Sequence, residues 1–193
     1  MDLNSKDKGQ LRDYWKFQYV KYRSSFKSWN QAICQHILSH PTFQKAEKVA
    51  LFYPREWEVN LIPLWETRPK ACSFPRTLVK TWEMKFYTVN SLQSLHSVKG
   101  LGGILEPLED KNQEITDFHS NDLILVPGFV FDALGSRIGS GKGVYDRFLS
   151  REGRLAQKWG VAFSPQLISK PITQEPHDIR LDGLITEKGF IYF

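Results

Sequence analysis

The residues best suited to chemistry lie in a short glycine-rich segment, Arg137 to Gly143, which reads Arg-Ile-Gly-Ser-Gly-Lys-Gly. Three glycines in five residues cost the folded chain backbone entropy that a purely structural loop seldom requires. Glycines let backbone N–H groups approach an anion closely, and Arg137 and Lys142 add positive charge to the same segment. The segment is therefore predicted to bind phosphate.

Two common phosphate-binding motifs do not match this segment. Its glycines stand at positions 139, 141 and 143, so the spacing is neither that of a P-loop nor that of Gly-x-Gly-x-x-Gly. The glycine pattern alone leaves open the alternative of a mobile surface turn that binds nothing. Asp146 favours the phosphate interpretation, because a carboxylate a few residues beyond such a loop can hold Mg2+ together with phosphate oxygens.

The flanking sequence predicts a strand before the segment and a helix after it. Leu123 to Val126 is an unbroken apolar run ended by Pro127-Gly128, which is typical of a strand buried on both faces. Val144 to Leu149 places apolar side chains on one helical face. A strand, a glycine-rich loop and a helix would thus position the candidate phosphate site.

A second unit of this kind is predicted earlier in the chain. The run 48–53 is a candidate strand, and 60–67 is a candidate helix with Asn60 as its N-cap and Pro63 in the first turn. In α/β units, ligands gather beyond the carboxyl ends of the strands, which is where Tyr53 and Glu58 lie. Both side chains are therefore candidates for ligand contact.

The other predicted elements complete a single domain. They are helices around 11–26 and 29–37, strands at 71–74, 84–89 and 159–163, an irregular stretch at 91–120 and a hairpin at 184–193 that turns at 188–189. No repeat or linker interrupts the chain. We therefore expect one α/β domain over residues 1–193, with three layers and a mostly parallel central sheet flanked by helices, similar to a Rossmann fold.

The composition indicates a soluble protein with an anionic partner. The 193 residues carry a net charge of +5, spread along the chain, which suits small polyanions such as nucleotides. Cys34 and Cys72 match no metal or redox spacing and are expected to be reduced core residues. No apolar run approaches about 20 residues. We therefore expect a cytoplasmic monomer that binds neither membrane nor nucleic acid.

Motifs along nearly the whole chain resemble the 5-formyltetrahydrofolate cyclo-ligase family, also called methenyltetrahydrofolate synthetase, and occur in the family's order. The matching segments are Lys8-Gly-Gln-Leu-Arg12, Glu58-Val59, Phe74-Pro75-Arg76, Glu106-Pro107, Pro127-Gly-Phe-Val-Phe-Asp132, Gly135-Ser-Arg137, Gly139-Ser-Gly-Lys-Gly-Val-Tyr-Asp146 and His177-Asp178. The resemblance implies ATP- and Mg2+-dependent conversion of 5-formyltetrahydrofolate, with or without a polyglutamate tail, to 5,10-methenyltetrahydrofolate, ADP and phosphate. Phosphorylation of the formyl oxygen would give an iminium phosphate that the neighbouring amine attacks.

The resemblance also implies roles for individual residues. Arg137 and Lys142 would be catalytic, and Asp146 and Asp178 would hold Mg2+. The expected ATP-binding residues are Lys8, Arg12, Arg137, Gly139, Ser140, Gly141, Lys142, Gly143 and Tyr145. The expected substrate-binding residues are Tyr53, Glu58, Ser140, Gly141, Lys142, Gly143 and Val144.

Without the resemblance, other interpretations of these residues stay open. Lys8 and Arg12 share a basic helical face with Lys16, and most such faces are simply solvated. Glu58 would be an exposed loop carboxylate, and Asp178 a loop cap or surface acid. The residues alone therefore do not decide whether these four side chains touch a ligand.

Two positions depart from the family pattern. The family often has a larger residue where Ser140 stands and an aromatic residue where Val144 stands, on the folate side of the loop. Loss of a stacking ring would weaken folate binding by roughly 1 kcal/mol. A second hypothesis is thus a non-catalytic nucleotide- or anion-binding regulatory protein on the same fold. The combination of Lys142, Asp146 and Asp178 favours the enzyme.

Overall fold

The computed structural model of the chain describes residues 7–97 and 103–193. The α-helices are α1 (Lys8–Tyr22), α2 (Phe26–Ser39), α3 (Pro41–Lys45), α4 (Ile62–Thr67) and α5 (Val144–Ser150). The strands are β1 (Val49–Ala50), β2 (Cys72–Leu78), β3 (Glu83–Thr88), β4 (His96–Ser97), β5 (Leu105–Glu106), β6 (Glu114–Ile115), β7 (Leu123–Val126), β8 (Val130–Asp132), β9 (Arg137–Ile138), β10 (Gln157–Val161), β11 (Leu167–Ile168), β12 (Gly183–Thr186) and β13 (Gly189–Tyr192).

The central layer is an eight-stranded sheet in the order β13-β12-β10-β7-β1-β2-β3-β6. The inner strands β12, β10, β7, β1 and β2 pair in parallel. The outer strands pair antiparallel: β13 with β12 at one edge, and β3 with β2 and with the edge strand β6 at the other. Smaller sheets join β11, β8 and β9, and β4 with β5. The predicted α/β fold with a mostly parallel central sheet is confirmed.

Alternating side chains of β7 divide the core into the two faces of the sheet. Leu123 and Leu125 belong to a cluster that includes Trp15 of α1. Ile124 and Val126 belong to a second cluster that includes Phe148 of α5. Because neighbouring residues of a strand point to opposite faces, the sheet is covered on both sides and forms the middle of three layers.

The early helices and strand β2 differ in detail from their predictions. The first helix ends at Tyr22, and Phe26 begins α2 after a short 3-10 turn. Strand β2 continues beyond the predicted end at Phe74 and includes Pro75. Strand β1 pairs only with the first two residues of β2, Cys72 and Ser73. Pro75 lies beyond this pairing, so its missing N–H removes no hydrogen bond between β2 and β1.

The unit around β1 is shorter than predicted. Strand β1 covers only Val49–Ala50, although the amide of Leu51 still donates to the Ser73 carbonyl at 2.9 Å. The prediction of Asn60 as a helix cap is wrong, because Leu61 is the N-cap. Asn60 instead belongs to the preceding turn, where its Oδ1 accepts a hydrogen bond from the Ile62 amide at 3.0 Å.

Several smaller predictions are settled by the described residues. Cys34 and Cys72 are free and buried, as expected. The antiparallel pairing of β12 with β13 confirms the terminal hairpin, but its turn lies at 187–188 rather than at 188–189, because Gly189 already pairs with Thr186. In its described part, the predicted irregular stretch contains a 3-10 turn (Leu92–Ser94) and short strands, and its residues 98–102, with Gly100 and Gly102, lie outside the described residues. No helix in the described part of the chain is long and apolar enough to cross a membrane.

Candidate active site

A cavity of about 310 Å³ opens at the carboxyl ends of β1, β2 and β7. Phe52 and Tyr53 line it just after β1, Pro127 and Gly128 just after β7, and Thr77 near the end of β2. In the sheet, β10 and β12 follow β7 on one side, whereas β2 and β3 follow β1 on the other, so the strand order reverses between β7 and β1. The cavity lies at this reversal, which is where ligands usually bind in open α/β sheets.

The cavity brings together every predicted site residue. Its lining includes Lys8, Arg12, Tyr53, Glu58, Arg137, Gly139, Ser140, Gly141, Lys142, Gly143, Val144, Tyr145, Asp146 and Asp178. These residues come from α1, the segment after β1, strand β9, the loop that follows it, the first turn of α5, and the segment before β12. Their common location is a finding, whereas the individual contacts with ATP, substrate or metal stay predictions.

Helix α1 is fastened to the glycine-rich loop by Arg12. Its Nε donates a hydrogen bond to the Gly139 carbonyl at 2.7 Å. Gly141 has a φ of +88° and Gly143 a φ of +61°, a region that favours glycine. A Cβ at Gly141 would also lie 3.0 Å from an Arg12 guanidinium nitrogen. Glycine at position 141 thus satisfies both the turn and the close approach of Arg12.

Lys142 is the exposed cation of the loop. Its Nζ lies 5.0 Å from the centroid of the Trp82 ring. Within residues 7–97 and 103–193 no carboxylate pairs with this ammonium group. A solvated ammonium over an aromatic ring at a cavity wall is available to an anionic ligand at little desolvation cost.

Arg137, in contrast, is already paired. Its Nη2 lies 2.7 Å from Asp146 Oδ1, and its Nη1 donates to the Ile179 carbonyl at 2.8 Å. The Arg137 side chain is only 4% exposed, so this pair is largely removed from solvent. Arg137 therefore fastens α5 to the segment before β12 and shares its charge with Asp146. Direct contact of Arg137 with phosphate remains a prediction.

Lys8 and Asp178 form a second ion pair at the cavity. Lys8 Nζ lies 3.2 Å from Asp178 Oδ2 and 2.8 Å from Glu175 Oε1. Burial alone would raise the pKa of Asp178, but the Glu175 amide and the Lys8 ammonium outweigh it and lower that pKa. The Glu175 hydrogen bond is the main cause of a raised pKa for Lys8. Both groups are thus held in their charged forms.

Glu58 lines the cavity with a different chemical character. Its Oε2 accepts a hydrogen bond from the Arg55 amide at 2.9 Å. Burial raises the pKa of Glu58, because the charged form loses hydration and the Arg55 amide restores only part of it. A ligand that donates hydrogen bonds to this carboxyl group would lower that cost. Glu58 is therefore suited to a ligand with N–H donors rather than to a phosphate.

Tyr145 lines the cavity from the first turn of α5. Burial raises the pKa of its hydroxyl, and the charges of Glu58 and Glu106 raise it further, whereas Arg137 lowers it. Tyr145 also packs against the core cluster of Phe148. Its ring thus packs in the core, while the residue also lines the cavity.

Two carboxylates have oxygens available for a metal ion. In the described part of the chain, Asp146 Oδ2 and Asp178 Oδ1 accept no hydrogen bond. No group of three or more His, Cys, Asp or Glu side chains that could hold a metal occurs among the described residues. Two carboxylates still fit Mg2+, which usually takes its remaining ligands from phosphate oxygens and water.

Sequence reasoning did not assign Trp82 or Glu106 to the site, although both line the cavity. Trp82 has a φ of +57°, so a bulky residue occupies a turn position that normally indicates glycine or asparagine. No sequence signal for that turn exists. Glu106 had a signal in the Glu106-Pro107 motif, which carried no assigned role.

The sheet order, with this cavity at its switch point, defines a doubly wound α/β protein whose cavity is lined by a glycine-rich loop and cationic side chains. Comparison with known proteins gives the family. The model of the 5-formyltetrahydrofolate cyclo-ligase family matches residues 4–187. The chain belongs to this family of enzymes, and the predictions of family and of an enzyme are confirmed.

Individual relatives agree with the family match. The solution NMR structure of Aquifex aeolicus 5,10-methenyltetrahydrofolate synthetase has a TM-score of 0.77 and 33% identity, covering 96% of this chain and 92% of that chain. The 5-formyltetrahydrofolate cyclo-ligase of Mus musculus is 27% identical over 80% of both chains. A probable 5-formyltetrahydrofolate cyclo-ligase of Schizosaccharomyces pombe is 29% identical over 83% of this chain and 84% of its own length.

Proposed function

We propose that the chain, acting as one domain over residues 1–193, cyclises 5-formyltetrahydrofolate to 5,10-methenyltetrahydrofolate with ATP and Mg2+. The observation that carries the proposal is that one cavity combines the glycine-rich loop and cationic side chains with the Glu58 carboxyl group. The names of the mouse and Aquifex relatives, which give this substrate and this product, support it.

We assign the nucleotide to the loop end of the cavity. Lys142 is solvated and lacks a carboxylate partner among the described residues, and Arg12 adds a guanidinium beside Gly139 and Gly141. The positive φ values of Gly141 and Gly143 turn the backbone where a side chain would obstruct a phosphate. Phosphoryl transfer needs mainly position and positive charge from the protein, and this end of the cavity offers both.

We assign the folate to the end that contains Tyr53 and Glu58. The aminopyrimidine edge of a pterin offers two parallel N–H donors, and a carboxylate accepts both. The Arg55 amide already occupies one position on Glu58 Oε2, which orients the group. Ser140, Gly141, Lys142, Gly143 and Val144 of the loop would contact the folate as well, because they line the same cavity as Tyr53 and Glu58.

The chemistry requires the two ligands side by side. The formyl oxygen attacks the γ-phosphorus of ATP, the bond to the bridging oxygen breaks, and ADP leaves. The neighbouring amine of the folate then attacks the activated carbon of the iminium phosphate, the C–O bond breaks, and phosphate and the amine proton leave. Lys142 would stabilise the charge of the transferring group, and the paired Arg137 would hold Asp146 and the loop in position.

Asp146 and Asp178 would hold Mg2+ through the oxygens that make no hydrogen bond among the described residues. When bound, the ion would neutralise charge on the phosphates during transfer. In the absence of the ion, Lys8 would compensate part of the negative charge of Asp178. The remaining ligands would be phosphate oxygens and water.

The test of the proposal is an assay of the purified chain with 5-formyltetrahydrofolate, ATP and Mg2+. Product is followed by the near-ultraviolet absorbance of the methenyl compound. We expect product only when all three components are present, with one ADP formed for each methenyl group. Absence of product from protein that still binds ATP would favour the non-catalytic nucleotide- or anion-binding alternative.

A further inference from the structure

Glu106 is a buried acid at the cavity wall for which the proposed reaction gives no role. It lies in β5, is 2% exposed, and lines the cavity together with Thr77 of β2 and Trp82. Acidic side chains are rarely buried to this extent unless a cation or several hydrogen bonds compensate the lost hydration.

The described residues provide Glu106 with very little compensation. Its hydrogen bonds come from a single residue: the Thr77 amide lies 3.2 and 3.1 Å from Oε1 and Oε2, and the Thr77 side chain also donates to the carboxylate. A carboxylate has about four acceptor positions. Arg76 is the charged neighbour, but its Nη1 donates to the Pro107 carbonyl at 2.8 Å and its Nε lies 3.3 Å from Glu109 Oε1. No ion pair to Glu106 occurs within residues 7–97 and 103–193.

A structural role accounts for part of this arrangement. The hydrogen bond from Thr77 holds β5 against β2, but an amide side chain would accept that bond without carrying a charge. Burial raises the pKa of Glu106, and the hydrogen bonds from the Thr77 amide and side chain and the charge of Arg76 offset this only in part, so the charged form is costly without a ligand. The acidic group at the cavity is therefore better explained by a partner that enters the cavity.

We propose that Glu106 binds the substrate by accepting hydrogen bonds from N–H groups of its reduced pterin, as a second carboxyl group beside Glu58. The proposal rests on the proposed function. Glu58 and Glu106 line the same cavity. A polyphosphate beside the Glu106 carboxylate would be repelled, so the ligand of Glu106 is the folate rather than the nucleotide.

The test measures binding of each ligand separately by isothermal titration. Glu106→Gln should weaken binding of 5-formyltetrahydrofolate about tenfold to hundredfold, the scale for loss of charge-assisted hydrogen bonds, and leave Mg-ATP binding unchanged. The matched control is Glu83→Gln, which changes an exposed acid outside the cavity and should alter neither affinity. A purely structural Glu106 would instead show reduced thermal stability with an unchanged folate affinity.

Each outcome has a distinct meaning. Unchanged folate affinity in folded Glu106→Gln overturns the role of Glu106 and leaves the proposed function intact. If the native chain binds Mg-ATP but no 5-formyltetrahydrofolate, the proposed function fails and the role of Glu106 fails with it. If Glu106→Gln does not fold, Glu106→Asp decides, because it keeps the charge but withdraws it by one methylene. Weaker folate binding with normal Mg-ATP binding then supports the role, and unchanged folate binding overturns it.

Discussion

The backbone amide of Ile179 donates a hydrogen bond to Asp146 Oδ1 at 3.2 Å. Ile179 directly follows Asp178, so this bond joins the segments that carry the two candidate metal ligands. Arg137 strengthens the junction by contacting the same Asp146 oxygen and the Ile179 carbonyl. One oxygen of Asp146 is thus used to fix the geometry, while Oδ2 accepts no hydrogen bond from the described residues.

Asp146→Asn should raise the Mg2+ concentration needed for activity and lower the maximal rate. The amide still offers an oxygen to the ion, but it carries no charge, and Mg2+ prefers carboxylate and phosphate ligands. Steady-state rates at increasing Mg2+ measure the effect. Asp117→Asn, which changes an exposed acid outside the cavity, serves as control. The same Mg2+ dependence in Asp146→Asn and in the native chain would remove Asp146 from the metal site.

Arg137→Lys should destabilise the ligand-free protein by about 1.5–3 kcal/mol, because lysine cannot reproduce the planar fork that contacts Asp146 and the Ile179 carbonyl together. Equilibrium unfolding in urea gives the free energy of unfolding. Arg180→Lys is a control at a neighbouring exposed position. A loss in Arg137→Lys no larger than in the control would mean that the pair contributes little to stability.

Gly141→Ala should destabilise the fold by about 1–2 kcal/mol, because an L side chain is strained at a φ of +88°. The new Cβ would also lie 3.0 Å from Arg12, which would have to move. Gly139→Ala is a matched control within the same loop, since its Cβ would meet no atom within 4 Å and its φ is not in the left-handed region. Equal unfolding free energies of the two variants would contradict the described loop conformation.

The Lys8–Asp178 pair should contribute to stability at neutral pH but not in acid. The pKa of Asp178 is lower in the folded chain than in the unfolded chain, where it is about 3.9. The pair therefore stabilises the fold at pH values above the unfolded pKa, and this stabilisation is lost as the pH falls through the folded pKa. The raised pKa of Lys8 affects only alkaline pH, above about 10.4.

Asp178→Asn should therefore be less stable than the native chain near neutral pH by about 1 kcal/mol or less, the scale of partly exposed ion pairs. The difference should shrink as the pH falls below about 3.9 and through the lowered pKa of folded Asp178. Urea unfolding near neutral pH and at successively lower pH values tests it. A difference that stays constant with pH would show that the charge of Asp178 is not the cause.

The sequence predicts best what is contiguous in the chain. The apolar run of β7, the glycine-rich loop and α5 follow one another, so their order and their cavity position were predictable. The extent of β1 was not, because the apolar residues Leu51 and Phe52 continue the run after the strand ends. Their side chains remain buried, so hydrophobicity alone does not show where strand pairing stops.

Non-local features of the site were less predictable. Trp82 and Glu106 reach the cavity from the β2–β3 turn and from β5, and only the tertiary fold brings them beside the loop. The pairing of Arg137 with Asp146 likewise depends on side-chain geometry that spacing does not determine. Lys8 and Asp178 were proposed from family resemblance, since neither has a distinctive local pattern.

The central claim is that one cavity holds the nucleotide at Lys142 and the folate at Glu58. The most direct measurement is isothermal titration of Mg-ATP and of 5-formyltetrahydrofolate, separately, into Lys142→Ala and Glu58→Gln. Lys111→Ala is the control for Lys142, because it removes an exposed lysine outside the cavity.

Lys142→Ala should weaken Mg-ATP binding about tenfold to hundredfold, with a smaller effect on the folate, because it removes a charge-assisted phosphate contact. Glu58→Gln should weaken 5-formyltetrahydrofolate binding and spare Mg-ATP, because the amide presents a donor where the pterin also donates. Loss of the same ligand in both variants, or of neither ligand in either, would contradict the two-ended cavity.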